Sequence, residues 1–265
     1  MRSLPRNGRI KSLYRFLISA ARTLKLLAIF AYATLDLIAT RPATREQRAE
    51  WLHRFCARTA RQMGVTVHQR GPYPEHGIVI SNHLGYLDIL AFAALHRCVF
   101  VAKSEILRWP ILGWMTSIAG TVYVERGRGA SAISAGGRMQ VAAAAGLPVV
   151  FFPEGTTSNG DTVLKFHSGL LSQAMASGQP ITPAHIAYRL THDNDPRTTV
   201  ANDVCYWGDV SMLRHIFRLL WLRGIEIEVC FAESPIVFSE SPAQRKRAAV
   251  EAREAVLQLG PPAIS

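Results

Sequence analysis

Gly77-Ile78-Val79-Ile80-Ser81-Asn82-His83-Leu84-Gly85-Tyr86-Leu87-Asp88 is the stretch from which the fold is read. Its first half is a short run rich in β-branched residues, which predicts a buried strand over 77–81. Polar residues and a glycine then break the run. Residues 89–95 read as a helix, with Asp88 near its N-terminus. Strand, loop and helix in that order belong to an α/β sheet, and such sheets gather their chemistry at the C-terminal ends of strands. His83 falls at that position. Its unperturbed pKa of about 6.5 lets it take a proton near neutral pH. Asp88, five residues on, is spaced to hold the imidazole in the tautomer that leaves Nε2 free as a base.

A second loop is built the same way. Residues 147–152 predict a buried strand, which Pro153 and Gly155 stop in a tight turn: Phe152-Pro153-Glu154-Gly155-Thr156. A His with an Asp five positions later arises by chance roughly 0.24 times in a chain of this composition. The pentapeptide arises about 10⁻⁴ times, so it is the segment that demands a reason. Elsewhere strands are expected at 99–102, 122–125, 148–152, 181–187, 199–206 and 226–231. Helices are expected at 131–145, 168–177, 211–222 and 241–258. The expected fold class is α/β, a central mostly β sheet flanked by helices, preceded by an N-terminal membrane-associating helical segment.

These residues give the chain its resemblance to the glycerolipid acyltransferase family, whose bacterial representatives include 1-acylglycerol-3-phosphate acyltransferases. The family block Asn-His-x-x-x-x-Asp matches Asn82, His83 and Asp88; Gly-x-x-aromatic-aliphatic-x-Arg matches Gly120, Tyr123, Val124 and Arg126. Phe152 to Thr156 is the third block, and aliphatic-x-Pro matches Ile181 and Pro183, in the family's order and spacing. The resemblance implies that His83 deprotonates an acceptor hydroxyl while Asp88 orients it, and that the hydroxyl attacks a fatty-acyl thioester. It implies that Arg126 holds an acidic head group through paired hydrogen bonds. Glu154, Gly155 and Thr156 would line the acceptor pocket. Asn82, Lys103 and Tyr123 complete the expected substrate-binding set, and no metal or other cofactor is expected beyond acyl-CoA or acyl-carrier protein as co-substrate.

The first acceptor expected is the lysolipid 1-acylglycerol-3-phosphate. One departure counts against it. Many lysophosphatidate-type members carry Arg directly after the third block, where this chain has Thr157. That removes a fixed positive charge and makes lyso-ornithine lipid, or another lysophospholipid, the competing acceptor. A protein that keeps this fold to bind membrane lipid without chemistry is the alternative from another class, and intact His83, Asp88, Arg126 and Glu154 argue against it.

The net charge of +11 is uneven. Residues 1–70 hold 14 Lys/Arg against 3 Asp/Glu, and the remainder balances at 16 of each. The same first quarter holds the longest apolar run, 24–39, interrupted by Lys25 and Asp36. A spanning helix needs roughly 20 apolar residues, so a shallow or re-entrant helix is favoured over a full crossing. A second helix is expected after Arg41-Pro42, with Thr44 and Gln47 as a capping box. Its apolar stripe (Trp51, Leu52, Phe55, Ala60, Met63) and basic side (Arg48, Arg54, Arg58, Arg61) read as lying on an anionic membrane surface. The expected division is 1–64 as a membrane-associating two-helix segment and 65–265 as the acyltransferase domain. The expected setting is the cytoplasmic face of the inner membrane, monotopic or peripheral, with one spanning helix as the alternative.

Other classes fall away. The hydrophobic run starts late and lacks a small-residue cleavage site, so no secretory signal is expected. Cys56, Cys98, Cys205 and Cys230 lack metal-ligand spacing and read as reduced thiols. Gly127-x-Gly129-x-x-Ala132 mimics a dinucleotide fingerprint, but Arg126 and Arg128 interrupt the turn and no acidic residue follows at the required distance. There is no Gly-x-Ser-x-Gly elbow. A pI near 10 invites nucleic acid as a partner. The basic residues are interleaved with an apolar stripe, however, and so favour lipid.

Overall fold

Ile78, Val79 and Ile80 are fully buried, and their alternation explains why the strand they form has helices on both faces. Ile78 and Ile80 join one apolar cluster with Ala135, Met139, Leu171 and Ala252. Val79 joins the other, with Cys56, Ala60, Phe92, Phe100 and Ile186. The computed structural model describes residues 6–109, 112–125, 129–191, 194–239 and 244–260. In chain order the elements are α1 (Arg6–Thr40), α2 (Arg45–Met63), β1 (Val65–Arg70), β2 (Ile78–Ser81), α3 (Tyr86–Leu95) and β3 (Val99–Lys103). There follow a 3₁₀ turn (Ser104–Arg108), α4 (Leu112–Ile118), β4 (Val122–Val124), α5 (Gly129–Ala144), β5 (Val149–Phe151) and α6 (Ser168–Ala176). The chain ends with β6 (Ile181–Leu190), a π-helical turn (Val200–Val204), α7 (Met212–Leu219), β7 (Ile225–Phe231) and α8 (Arg245–Leu257).

The strands form one seven-stranded sheet in the order β1-β7-β6-β2-β5-β3-β4. From β6 to β4 every neighbouring pair is parallel, so β2, β5, β3 and β4 all end at the same edge. β7 runs antiparallel to β6 and carries β1 parallel to itself at the far side. This α/β arrangement is the one expected from the sequence, with local differences that include the unexpected α4. β1 is not among the expected strands: as an edge strand it buries only Val65 fully, and its alternation is limited to Val65 to His68. The strand expected at 199–206 is instead the π-helical turn. There the Thr199 hydroxyl accepts from Asn202 N–H (3.2 Å) and the Asp203 carboxylate accepts from Thr199 N–H (2.8 Å), so local side chains satisfy the backbone that a ladder would have used.

The N-terminal helices also differ from expectation. The Thr44–Gln47 capping box forms, and Gly64 closes α2 in the left-handed region at φ 73°. Yet the apolar stripe of α2 is spent inside the protein: Trp51, Cys56 and Ala60 are buried, and Cys56 and Ala60 share the core of α3 and β2. The boundary expected at residue 64 therefore runs through a continuous core. Of the basic side of α2, Arg58 lies over the Tyr32 ring of α1 at 4.2 Å. The outward apolar face belongs to α1. It is one unbroken helix, with no re-entrant turn, and Phe16–Thr40 is long and apolar enough to cross a membrane (25 residues, mean hydropathy 1.5). Ser19, Ile29, Ala33 and Leu37 face the body, while Phe16, Leu17, Leu24, Leu27, Leu35 and Ile38 stay exposed. Arg22, just before the apolar run, donates to the carbonyls of Leu220 and Leu222.

Candidate active site

Parallel pairing of β2 with β5 puts the ends of both strands side by side, with Ile80 opposite Phe151. The two loops singled out in the sequence therefore meet. Ser158 N–H donates to the His83 carbonyl at 2.9 Å, which ties the loop after β5 to the loop after β2. The His83 imidazole stacks on the Phe152 ring, with centroids 4.1 Å apart and planes 10° from parallel. Such a stack restricts the imidazole to rotation in its own plane.

His83 Nδ1 lies 2.6 Å from Asp88 Oδ2, with the histidine side chain 20% exposed and the aspartate fully buried. Because Asp88 sits in the first turn of α3, its Oδ2 also accepts from the backbone N–H of Leu84 (2.7 Å) and Gly85 (3.1 Å). The Tyr188 hydroxyl, on β6, donates to the other oxygen, Oδ1. A buried carboxylate is costly unless every lone pair is occupied, and here four donors converge on it. With acceptors at both carboxylate oxygens, His83 carries its proton on Nδ1. Nε2 keeps its lone pair and has no protein partner among the described residues.

Asn82 is placed differently from expectation. Its amide accepts from Ile186 N–H (2.8 Å) and donates to the Ile186 carbonyl (2.9 Å), stapling the end of β2 to β6. It is 4% exposed, so it positions the loop instead of facing substrate. Glu154 is also buried. Its Oε1 accepts from Leu164 N–H at 3.1 Å, and Oε2 is buried without a hydrogen bond. Burial pushes its carboxyl up to about 7, and the Asp88 charge adds to that, against the Leu164 hydrogen bond, the nearby His83 backbone N–H and the Arg253 charge. Gly155 takes φ 63°, the left-handed conformation that favours glycine, and turns the loop so that Thr156 is exposed.

Lys103 and Tyr123 lie further along the same edge, at the end of β3 and in β4, two and three strands from β2. Lys103 is half-buried. Tyr123 is engaged locally: its hydroxyl donates to Thr116 Oγ1 at 2.8 Å, so it is not brought to His83. Arg126 lies outside the described residues. The four cysteines are all free and buried.

Three participants were not found from sequence. Tyr188 stands 100 residues from Asp88 and belongs to no motif. Arg253, on α8, clamps the loop that holds Glu154, donating to the carbonyls of Val163 (2.7 Å) and Leu164 (3.2 Å). The π-helical turn supports the loop after β2: Tyr206 N–H donates to the Leu84 carbonyl at 2.8 Å. A Cβ on Gly85 would meet Tyr206 at 3.1 Å, which leaves little room for a larger residue there.

Residues 64–187 match the family model described as Acyltransferase. A lyso-ornithine lipid O-acyltransferase from Brucella abortus is 30% identical over 85% of this chain and 86% of its own length. One from Pseudomonas aeruginosa is 33% identical over 64% of this chain, and the match spans only 62% of that relative. A 1-acyl-sn-glycerol-3-phosphate acyltransferase from Neisseria gonorrhoeae is 29% identical over 66% of this chain and 67% of its own length. Among solved structures, the 1-acyl-sn-glycerophosphate acyltransferase PlsC from Thermotoga maritima has the same fold. It superposes with a TM-score of 0.65 at 19% identity, covering 94% of this chain and 97% of PlsC.

Proposed function

The chain belongs to the glycerolipid acyltransferase family, and from that premise we propose that it transfers a fatty-acyl group from an acyl thioester to the free hydroxyl of lyso-ornithine lipid. The observation that carries the chemistry is the 2.6 Å contact between His83 Nδ1 and Asp88 Oδ2, which leaves Nε2 as the basic atom at the strand-end rim. Nε2 removes the acceptor proton as the oxygen attacks the thioester carbonyl. The tetrahedral oxyanion collapses, the C–S bond breaks, and the proton held by His83 passes to the departing thiolate of coenzyme A or acyl-carrier protein. Asp88 stabilises the imidazolium in between, without taking the proton. Asn82 and Tyr188 are positioning residues for this pair, while acceptor binding is assigned to Gly155, Thr156 and Lys103 and, as the family motif implies, to Arg126.

For the acceptor, Thr157 stands where lysophosphatidate-type members carry arginine, and the Brucella and Pseudomonas relatives are named for lyso-ornithine lipid. Lysophosphatidate is the second reading, favoured by the Neisseria relative. Purified protein supplied with labelled acyl-CoA or acyl-carrier protein, and with each lysolipid in turn, separates them. The proposal expects faster acylation of lyso-ornithine lipid; acylation of lysophosphatidate alone overturns the acceptor and keeps the chemistry.

We place the enzyme on one face of a membrane as a monotopic protein. From Ser19 to Leu37, α1 is held along the body, with Arg22 bound to backbone carbonyls, while the opposite side of that stretch is apolar and exposed. A helix fixed along a globular body in this way fits immersion in one leaflet better than a free crossing. The cytoplasmic face of the inner membrane is where acyl-CoA and acyl-carrier protein are available.

A further inference from the structure

Large apolar side chains are exposed very unevenly on this molecule. Of the 19 strongly exposed ones among the described residues, seven lie on α1 and four lie within 207–217: Trp207, Val210, Leu213 and Phe217. Leu213 and Phe217 fall four residues apart on α7 and so share one face, with Val210 two residues before the helix. Leu213 is 80% exposed and Phe217 49%. The inward side of the same helix is buried and polar. His215 donates from Nε2 to the Cys205 carbonyl (3.0 Å), and its Nδ1 accepts from the Tyr86 hydroxyl (2.8 Å). α7 is thus fixed in orientation, and its apolar stripe is directed outward by structure.

We propose that α7 and the preceding residues 207–210 form a second membrane-docking element, whose partner is the surface of a phospholipid bilayer. Two observations select a bilayer. The C-terminal end of α7 adjoins α1, because the Arg22 guanidinium is bound to the carbonyls of Leu220 and Leu222 just past α7; the element that carries the stripe therefore stands beside the helix with the most exposed apolar residues. Arg214 and Arg218 flank the stripe, at the level where phosphate head groups meet a half-immersed helix, although Arg218 is also paired with Asp203 at 2.9 Å.

The consequence concerns the active site. The turn before α7 holds the Leu84 carbonyl through Tyr206, and α7 holds Tyr86 through His215. Both contacts fall on the segment between His83 and Asp88. Docking α7 on lipid therefore seats the rim of the catalytic loop at the bilayer surface, where a lysolipid presents its hydroxyl. This deepens the proposed function and rests on it for the substrate, but the location of α7 is measurable without catalysis.

The test uses the full chain in vesicles of phosphatidylethanolamine and phosphatidylglycerol, with an environment-sensitive fluorophore on Leu213→Cys or, as reference, on Val237→Cys. Val237 is 94% exposed, between residues that belong to the opposite layer of the sheet, and the four native cysteines are buried. The proposal expects the probe at 213 to be quenched by doxyl groups on lipid chains and shielded from aqueous iodide, and the probe at 237 to behave in reverse. Iodide quenching at 213 equal to that at 237, in protein bound to vesicles, overturns it. Loss of acyl transfer to lyso-ornithine lipid with the 213 probe still in lipid would overturn the substrate reading and leave the docking element standing.

Discussion

The loop after β2 and the helix α1 each hold polar groups in apolar surroundings, by opposite means. Asp88 is fully buried, and four donors inside the protein occupy it. α1 uses the protein for one side only, through Arg22, Ile29, Ala33 and Leu37, and leaves Leu24, Leu27 and Leu35 largely exposed. The loop is over-determined, so one substitution removes a unique function. The outer face of the helix is redundant, so each of its residues carries a small share of the same effect.

That contrast is broken most directly at the carboxylate. Asp88→Asn substitutes an amide where four donors point, and acyl transfer should fall about 10²–10⁴-fold, the share general-base assistance supplies. Single-turnover assays with folded protein check this; a fall of only a few-fold would mean that Asp88 does not govern the imidazole.

Glu154 sharpens the comparison, because its carboxyl is 2% exposed and has one oxygen without a hydrogen bond. Its folded pKa, about 7, lies above the 4.5 of a solvated glutamate. The folded state therefore binds more protons between those values, and stability is lost as pH rises from about 4.5 through about 7. Glu154→Gln mimics the neutral acid. It should match wild-type stability near pH 4 and exceed it at pH 8 by up to about 3 kcal/mol, from 2.5 pK units at 1.36 kcal/mol each. Denaturant melts at both pH values decide; a variant less stable at pH 8 would show that the carboxylate form is the one the loop needs.

Tyr188→Phe removes a hydrogen bond to a charged group, worth about 1.5–3 kcal/mol, without creating a cavity. We expect a matching loss of stability and a fall in kcat with KM nearly unchanged. A change confined to KM would move Tyr188 from the catalytic pair to the acceptor pocket.

The smallest effect belongs to α1. Leu27→Ser should weaken vesicle binding about tenfold, since a buried leucine contributes roughly 1.5–3 kcal/mol and its neighbours remain. Thermal stability should stay constant. Flotation that is unchanged, together with a lower Tm, would show that Leu27 faces protein.

The same contrast explains what could be read from sequence. His83 and Asp88 were legible because they lie on one loop, and Phe152 to Gly155 because a strand stopped by Pro and Gly is rare. Tyr188 and Arg253 were not legible. Their partners come from pairing of β6 with β2 and from packing of α8, contacts that no local spacing encodes. For α2, periodicity found the apolar stripe correctly but assigned it to lipid, whereas Trp51, Cys56 and Ala60 are covered by protein. Amphipathicity states that a face must be covered, not by what. For α1, Lys25 and Asp36 within the run argued for a shallow or re-entrant helix. Arg22 is satisfied by backbone carbonyls 198 and 200 residues away, so the helix continues unbroken.

The central claim is that the His83 imidazole takes the proton from a lipid hydroxyl, and His83→Ala tests it most directly. Purified variant and wild type are assayed on lysolipid in vesicles, with vesicle binding and circular dichroism measured on the same samples. We predict that binding and fold are unchanged while acyl transfer drops below about one-tenth of wild type. A well-folded, vesicle-bound variant that keeps more turnover than that would contradict the account.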